Sequence, residues 1–318
     1  MITKETIFIL GAGASAPYGY PTAKGLREFI IREFRKQYSE FLRDKRKIFE
    51  EDIKAAINKF SYLIQSFKQS STKSFDLFLS RNKENYYDDG KFILAWCILY
   101  FEMISKFNED IEIPETDWYT YLFNEMTSEM TKSTDLEKYK ENRLKIITFN
   151  YDRSLEEFLS ESLFFSFAGD RKDVTKFSDW IKVYHVYGKI YDLQWENPEQ
   201  GEKYQTNNIL ELAEKAKNNI QIIYDERRTQ IEEIQGIIAS AQRIFFLGFG
   251  YSRENLEAIG ITNFLTKHQY IYGTALGFKN KEVSDIKNLL GKMNPALLDH
   301  HIMLDNELDC VGLLREYL

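Results

Sequence analysis

Cysteine is almost missing from this chain: Cys97 and Cys310 are the only two in 318 residues. That is too few for a disulfide framework or for a structural zinc site built on four thiolates. Both are expected as buried thiols. No apolar run approaches the roughly 18 residues that mark a membrane-spanning helix. The start of the sequence lacks a basic segment followed by a cleavable apolar stretch. A cytoplasmic protein with no membrane contact is expected. Positive charge is not in excess either, since the net charge is -7. This disfavours a surface built to neutralise phosphates, and with it direct nucleic-acid binding. Clustered carboxylates at metal-ligand spacing are absent, which ranks a metal-dependent nuclease last. There are no internal repeats and no low-complexity linker.

What the chain does hold is apolar and aromatic: 43% hydrophobic residues, with 24 Phe and 20 Tyr. It can bury one substantial core or two smaller ones. Glycine is sparse at 16 residues, yet two of them stand together in T6-I-F-I-L-G-A-G-A-S-A-P17. Ile7 to Leu10 reads as a short buried strand, and small residues follow without a break. Gly11, Gly13 and Ala16 fit the spacing G-x-G-x-x-A of a dinucleotide-binding turn, where backbone N–H groups approach a phosphate closely. The same residues also suit a plain tight turn between a core strand and a helix. A hydride-transfer enzyme would continue with a helix, a second strand and a ribose-binding acid about 20 residues on. Here Pro17, Gly19 and Pro21 interrupt the helix, and the region of Glu28 and Glu33 reads as helical, so that class is disfavoured.

From Ala23 to Tyr139 only helices are expected. Leu26, Phe29, Ile30 and Phe34 form one apolar stripe at i, i+3, i+4 and i+8. Similar stripes recur at 48–67, 75–79, 92–104 and 119–130, separated by polar breaks such as S-S-T-K and Y-D-D-G-K. Their aromatics read as core or subunit contacts. The pattern then alternates: strands at 143–150, 181–188, 220–225, 243–250 and 269–275, with helices at 155–159 and 231–241 between them. Closing helices follow at 279–290 and 307–318. Such alternation means crossover connections and a mainly parallel sheet. The expected fold is α/β, a Rossmann-like doubly wound, mainly parallel sheet with a large helical insertion between the first and second strands. Residues 1–22 and 140–318 make the sheet domain and 23–139 the helical subdomain.

Ligands of open parallel sheets sit beyond the carboxyl ends of the strands. Polar residues follow apolar runs at three such places. In T148-F-N-Y-D152, Asn150 and Asp152 leave the strand on one side because strand side chains alternate; Asp152 equally suits a cap for the following helix. In H185-V-Y-G188, a lone histidine ends an apolar strand, as a catalyst or as a satisfied core residue. In L247-G-F-G-Y-S252, Gly248 and Gly250 turn the chain before a hydroxyl, an arrangement suited to a phosphate or ribose.

Taken in order, these motifs resemble the sirtuin superfamily, and more closely its bacterial NAD-hydrolysing branch found in antiphage defence. G11-A-G-A-S15 resembles the family's glycine-alanine-glycine-x-serine loop, and G19-Y-P21 its glycine-x-proline segment. F149-N-Y-D152 resembles the glutamine-asparagine-isoleucine-aspartate motif, His185 with Gly188 the catalytic histidine-glycine pair, and G248-F-G-Y-S252 the later ribose-binding turn. The resemblance implies an NAD-binding catalytic domain in which Gly11, Ala12, Gly13, Ser15 and Pro21 hold NAD. Asn150 and Asp152 would contact the nicotinamide ribose, His185 would act as general base, and Gly248 and Ser252 would face the adenosine side.

Three departures separate this chain from the deacylases of that superfamily. It lacks the four cysteines of their zinc module. After Pro21 it reads Thr22, Ala23 and Lys24 where deacylases continue with aspartate, phenylalanine and arginine, which would open the reacting ribose to water. His185 stands three residues before its glycine rather than next to it. The resemblance therefore implies an NAD+ glycohydrolase with NAD as substrate and no metal, with a non-catalytic NAD or ADP-ribose binding subunit as the rival and a deacylase behind it. It further implies a homo-oligomer triggered by a separately encoded partner, a ring-forming helicase-translocase-type ATPase or, more weakly, an Argonaute-like protein.

Overall fold

The computed structural model describes residues 1–46, 49–105, 116–167, 177–225, 230–292 and 301–318. Six strands form one all-parallel sheet: β1 (Thr6–Leu10), β2 (Leu144–Thr148), β3 (Val183–His185), β4 (Arg243–Leu247), β5 (Tyr270–Thr274) and β6 (Ile302–Asp305), in the order β3-β2-β1-β4-β5-β6. Every residue of β1 and β4 is buried, as expected of central strands covered on both faces. Ile9 stands between Ile147 of β2 and Phe246 of β4. The fold is α/β and Rossmann-like, and the strand order reverses between β1 and β4. A crevice opens outside the carboxyl ends of a parallel sheet at such a reversal.

Among the described residues between β1 and β2, the regular elements are all helices. A four-residue helix, α1 (Ala12–Ser15), and a single 3-10 turn (Ala16–Tyr18) end at Gly19, whose φ of 98° is left-handed. Next come α2 (Ala23–Arg32), α3 (Phe34–Arg46), α4 (Glu50–Gln69), α5 (Phe75–Arg81), α6 (Lys83–Met103) and α7 (Trp118–Thr127). Side chains start three of them. Thr22, Ser74 and Asp117 accept the N–H of Gly25, Leu77 and Thr120 at 3.2, 3.2 and 3.1 Å, each satisfying one orphan donor. Trp96 of α6 meets Phe34 and Tyr38 edge-on, with centroids 5.2 and 5.4 Å apart. The aromatics of this block thus form a core, one hydrophobic cluster that continues into the sheet.

Three sequence expectations are corrected. Residues 220–225 form no strand: Ile220 and Ile222 are fully buried, but the segment's one ladder-like bond runs from Gln221 N to Tyr187 O at 2.7 Å, beyond the end of β3. The apolar run packs as a loop instead. The sheet gains β6, whose apolar core of three residues is too short to stand out in the sequence. The Y-D-D-G-K stretch does not break a helix but lies inside α6. A Cβ on Gly90 would come within 2.1 Å of Leu79 Cδ2, so that glycine lets α5 and α6 approach. A 3-10 helix, Ser133–Glu141, ends the helical block, in keeping with the helices expected up to Tyr139. The start of the second stripe, at Ile48, lies outside the described residues. Helix α8 (Ser154–Phe167) follows β2. Both cysteines are buried, and burial pushes the Cys310 thiol up to about 12. Among the described residues no helix is long and apolar enough to cross a membrane.

Candidate functional site

The turns after β1 and β4 touch at the reversal of strand order. Gly11 N donates to Leu247 O at 3.0 Å and Gly13 N to Gly248 O at 2.9 Å. A Cβ on Gly13 would lie 2.9 Å from Gly248 Cα, and one on Gly248 2.0 Å from Ala14 N. Gly248 also has φ +56°, a left-handed conformation that glycine adopts without steric cost. These glycines are required by the contact between the two turns, whether or not a ligand lies above them.

The first turn meets the end of β2 through side chains. Asn150 Nδ2 donates to Gly11 O and to Ser15 Oγ, both at 3.1 Å. The Gly11 carbonyl can only accept, which assigns the amide nitrogen to this side and turns Oδ1 away. Among the described residues no donor reaches Oδ1. The relay continues as Ser15 Oγ donates to Asp152 Oδ2 at 3.0 Å. Asp152 Oδ1 accepts the backbone N–H of Ser154 at 3.2 Å and its hydroxyl, and Tyr119 OH pairs with that hydroxyl at 2.9 Å. Asp152 therefore does cap the start of α8 and also binds Ser15. Burial pushes its carboxyl above the usual range, opposed by the Ser154 hydrogen bonds and reinforced by the negative charge of Glu156.

His185, the last residue of β3, reaches the same network through the backbone. Its Nδ1 lies 3.0 Å from Asn150 O and its Nε2 2.7 Å from Glu156 Oε1. Burial pushes the Glu156 carboxyl up, but the charge and hydrogen bond of His185 outweigh it and hold it below the usual carboxylate range. Gly188 closes the His185 turn with φ +75°, where a Cβ would stand 2.2 Å from Asn219 O.

Gly11, Ala12, Gly13, Ser15, Asn150, Asp152, His185 and Gly248 are thus brought together at one edge of the sheet. Among the described residues no hydrogen bond ties Pro21 or Ser252 to that network. Pro21 packs beside Gly25, and Ser252 Oγ caps the helix Arg253–Ala258 by accepting Asn255 N–H at 3.3 Å. Ala23 and Lys24 are exposed at the start of α2. Above the reversal stand rings: Phe149 lies 5.2 Å from Phe249 and 5.7 Å from Tyr187, whose hydroxyl donates to Asn255 Oδ1 at 2.8 Å.

Sequence reasoning missed three contributors. Arg153, next to Asp152, forms a two-pronged pair with Glu102 at the end of α6, at 3.0 and 2.9 Å, both side chains fully buried. Its remaining donors reach the carbonyls of Asp192, Glu202 and Lys203 at 3.1, 2.7 and 2.8 Å. Tyr20 OH meets Tyr204 OH at 2.8 Å beside it. Glu156, the third, had one faint signal, its spacing of four from Asp152. No protein-family model and no curated protein matches this chain.

Proposed function

We propose that this protein is an NAD+ glycohydrolase that releases nicotinamide and ADP-ribose, acting as a triggered NAD-depleting effector in bacterial antiphage defence. One observation carries the reading: the Asn150 carboxamide is tied to the first glycine turn at the reversal of strand order, its Oδ1 left open. A dinucleotide laid across that reversal brings its phosphates over G11-A-G-A-S15 and its nicotinamide ribose toward Asn150. The resemblance to sirtuin-like NADases supplies the substrate.

Water adds to the anomeric carbon of the nicotinamide ribose while the carbon–nitrogen bond breaks. The bonding pair leaves with nicotinamide, which becomes neutral, and the water's proton passes to solvent. The transition state resembles an oxocarbenium ion. Its leaving group already carries the positive charge, so no strong acid is required. The protein's task is to orient ribose and water and to supply fixed dipoles. Asn150 Oδ1 accepts from the ribose hydroxyl or the attacking water, and Ser15 with Asp152 holds the amide still. No metal enters this scheme.

The second reading, an NAD or ADP-ribose binding subunit without turnover, is favoured by a specific observation: both nitrogens of His185 are already engaged. Under either reading the trigger comes through self-association or a separately encoded partner, a ring-forming ATPase of the helicase-translocase type ahead of an Argonaute-like protein. The test is chromatographic product analysis after incubation with NAD, beside calorimetric NAD binding. Nicotinamide and ADP-ribose from wild type but not from Asn150→Ala support hydrolysis. Tight binding with no product, in the isolated chain and in infected-cell lysate alike, favours the binding subunit.

A further inference from the structure

The Asn150 carbonyl can only accept a hydrogen bond, so Nδ1 of His185 carries its proton there. On the other nitrogen one proton is shared between Nε2 and Glu156 Oε1, 2.7 Å apart, with both side chains nearly sealed from solvent. Wherever that proton resides, the ring keeps no free lone pair for a ribose hydroxyl. Glu156 also lines a cavity of about 220 Å³ with Ile181, Lys182, Val183, Tyr184, Trp195 and Glu196 among others. Lys189, paired with Glu196 at 2.7 Å, adds a positive charge next to Glu156. Glu156 thus borders a cavity of mixed polar and apolar lining, and His185 the Asn150 peptide.

We propose that His185 is a positioning residue and that Glu156 is its partner: together they hold the Asn150 peptide so that its carboxamide stays in register with the first glycine turn. The role of Asn150 rests on the hydrolase reading; the role of His185 is set by its hydrogen bonds. General-base action by His185 requires one of its two ring contacts, to Glu156 or to the Asn150 carbonyl, to break first.

Two variants separate positioning from base catalysis. In Glu156→Gln the amide donates to Nε2 of a neutral ring, and both ring contacts survive. In the double variant His185→Asn with Glu156→Gln, the asparagine amide stands where Nδ1 stood and donates to the Asn150 carbonyl. Nicotinamide release within about tenfold of wild type, with an unmoved pH profile, is expected of both variants; loss of a base costs about 10²–10⁴-fold and removes a limb of the profile.

Long-range ¹⁵N NMR supplies an arm independent of turnover. The chain has four histidines, and the double variant assigns the His185 signals. Nδ1 protonated from pH 6 to 9, with ring shifts unaltered by NAD, is the expected result. An unprotonated Nδ1, or ring shifts that follow NAD addition, overturns the proposal even if wild type releases no nicotinamide. Nicotinamide release absent in the isolated chain and in infected-cell lysate alike, with a protonated Nδ1, sinks the hydrolase reading alone.

Discussion

At the carboxyl edge of the sheet, the turn after β4 meets the turn after β1 through backbone alone, whereas the ends of β2 and β3 meet it through side chains. On the β4 side Gly248 presses on Gly13 and Ala14, and rings cover the junction. On the β2–β3 side Asn150, Asp152, Glu156 and His185 form a hydrogen-bonded chain that starts at Gly11 O. One half fixes a shape; the other holds Asn150, whose Oδ1 can act on a ligand, and the groups that position it. Substitutions at Gly248 and at Asn150 should therefore fail differently, the first in stability and the second in turnover.

The largest effect is expected where the helical block clamps the β2 side. Glu102→Ala leaves Arg153 charged and buried without its carboxylate, a loss of about 3–5 kcal/mol. Urea unfolding reads it directly, and a loss below about 1 kcal/mol would mean that solvent reaches the pair. Next in size is Asn150→Ala, expected to lower nicotinamide release by about 10²–10³-fold, as removal of one fixed polar group in a preorganised site does. Its unfolding midpoint should move far less than that of Glu102→Ala.

The backbone-built half gives the converse result. Gly248→Ala forces a Cβ onto Ala14 N and a strained φ, costing about 1–3 kcal/mol. Gly250→Ala, where a Cβ meets nothing within 4 Å, stays within about 0.5 kcal/mol. Equal effects at both positions would break the comparison. The smallest effect is a pH slope. Burial raises the Glu157 carboxyl from 4.5 to about 7, against the hydrogen bond from Trp195. The folded state then binds more protons than the unfolded one across that window, so stability from this group is present below it and fades as pH rises to 7. Glu157→Gln should flatten that slope, measured as unfolding midpoints at pH 5 and 8; an unchanged slope would place the carboxyl's titration outside the window.

Much of the frame was legible because strands β1, β2, β4 and β5 are apolar runs bounded by small or polar residues, and the helical stripes keep their period. β6 was too short, and 220–225 carried strand composition without a strand's neighbours. Within the site, Asn150 and Asp152 were legible from their alternate spacing after β2. The ties that hold them were not: Glu102 lies 51 residues from Arg153, and Glu156 lies 29 from His185. Local periodicity carries no signal for a pair formed by the fold. The same limit separates the expectation that His185 is a base from the contacts that occupy its ring.

The measurement that bears most directly on the central claim is nicotinamide release from NAD by wild type beside Asn150→Ala and Gly250→Ala, each with NAD affinity determined in parallel. Release by wild type and Gly250→Ala, with Asn150→Ala lowered about 10²–10³-fold at nearly unchanged affinity, is the predicted result. Release undiminished in Asn150→Ala would contradict the claim that this amide carries the chemistry.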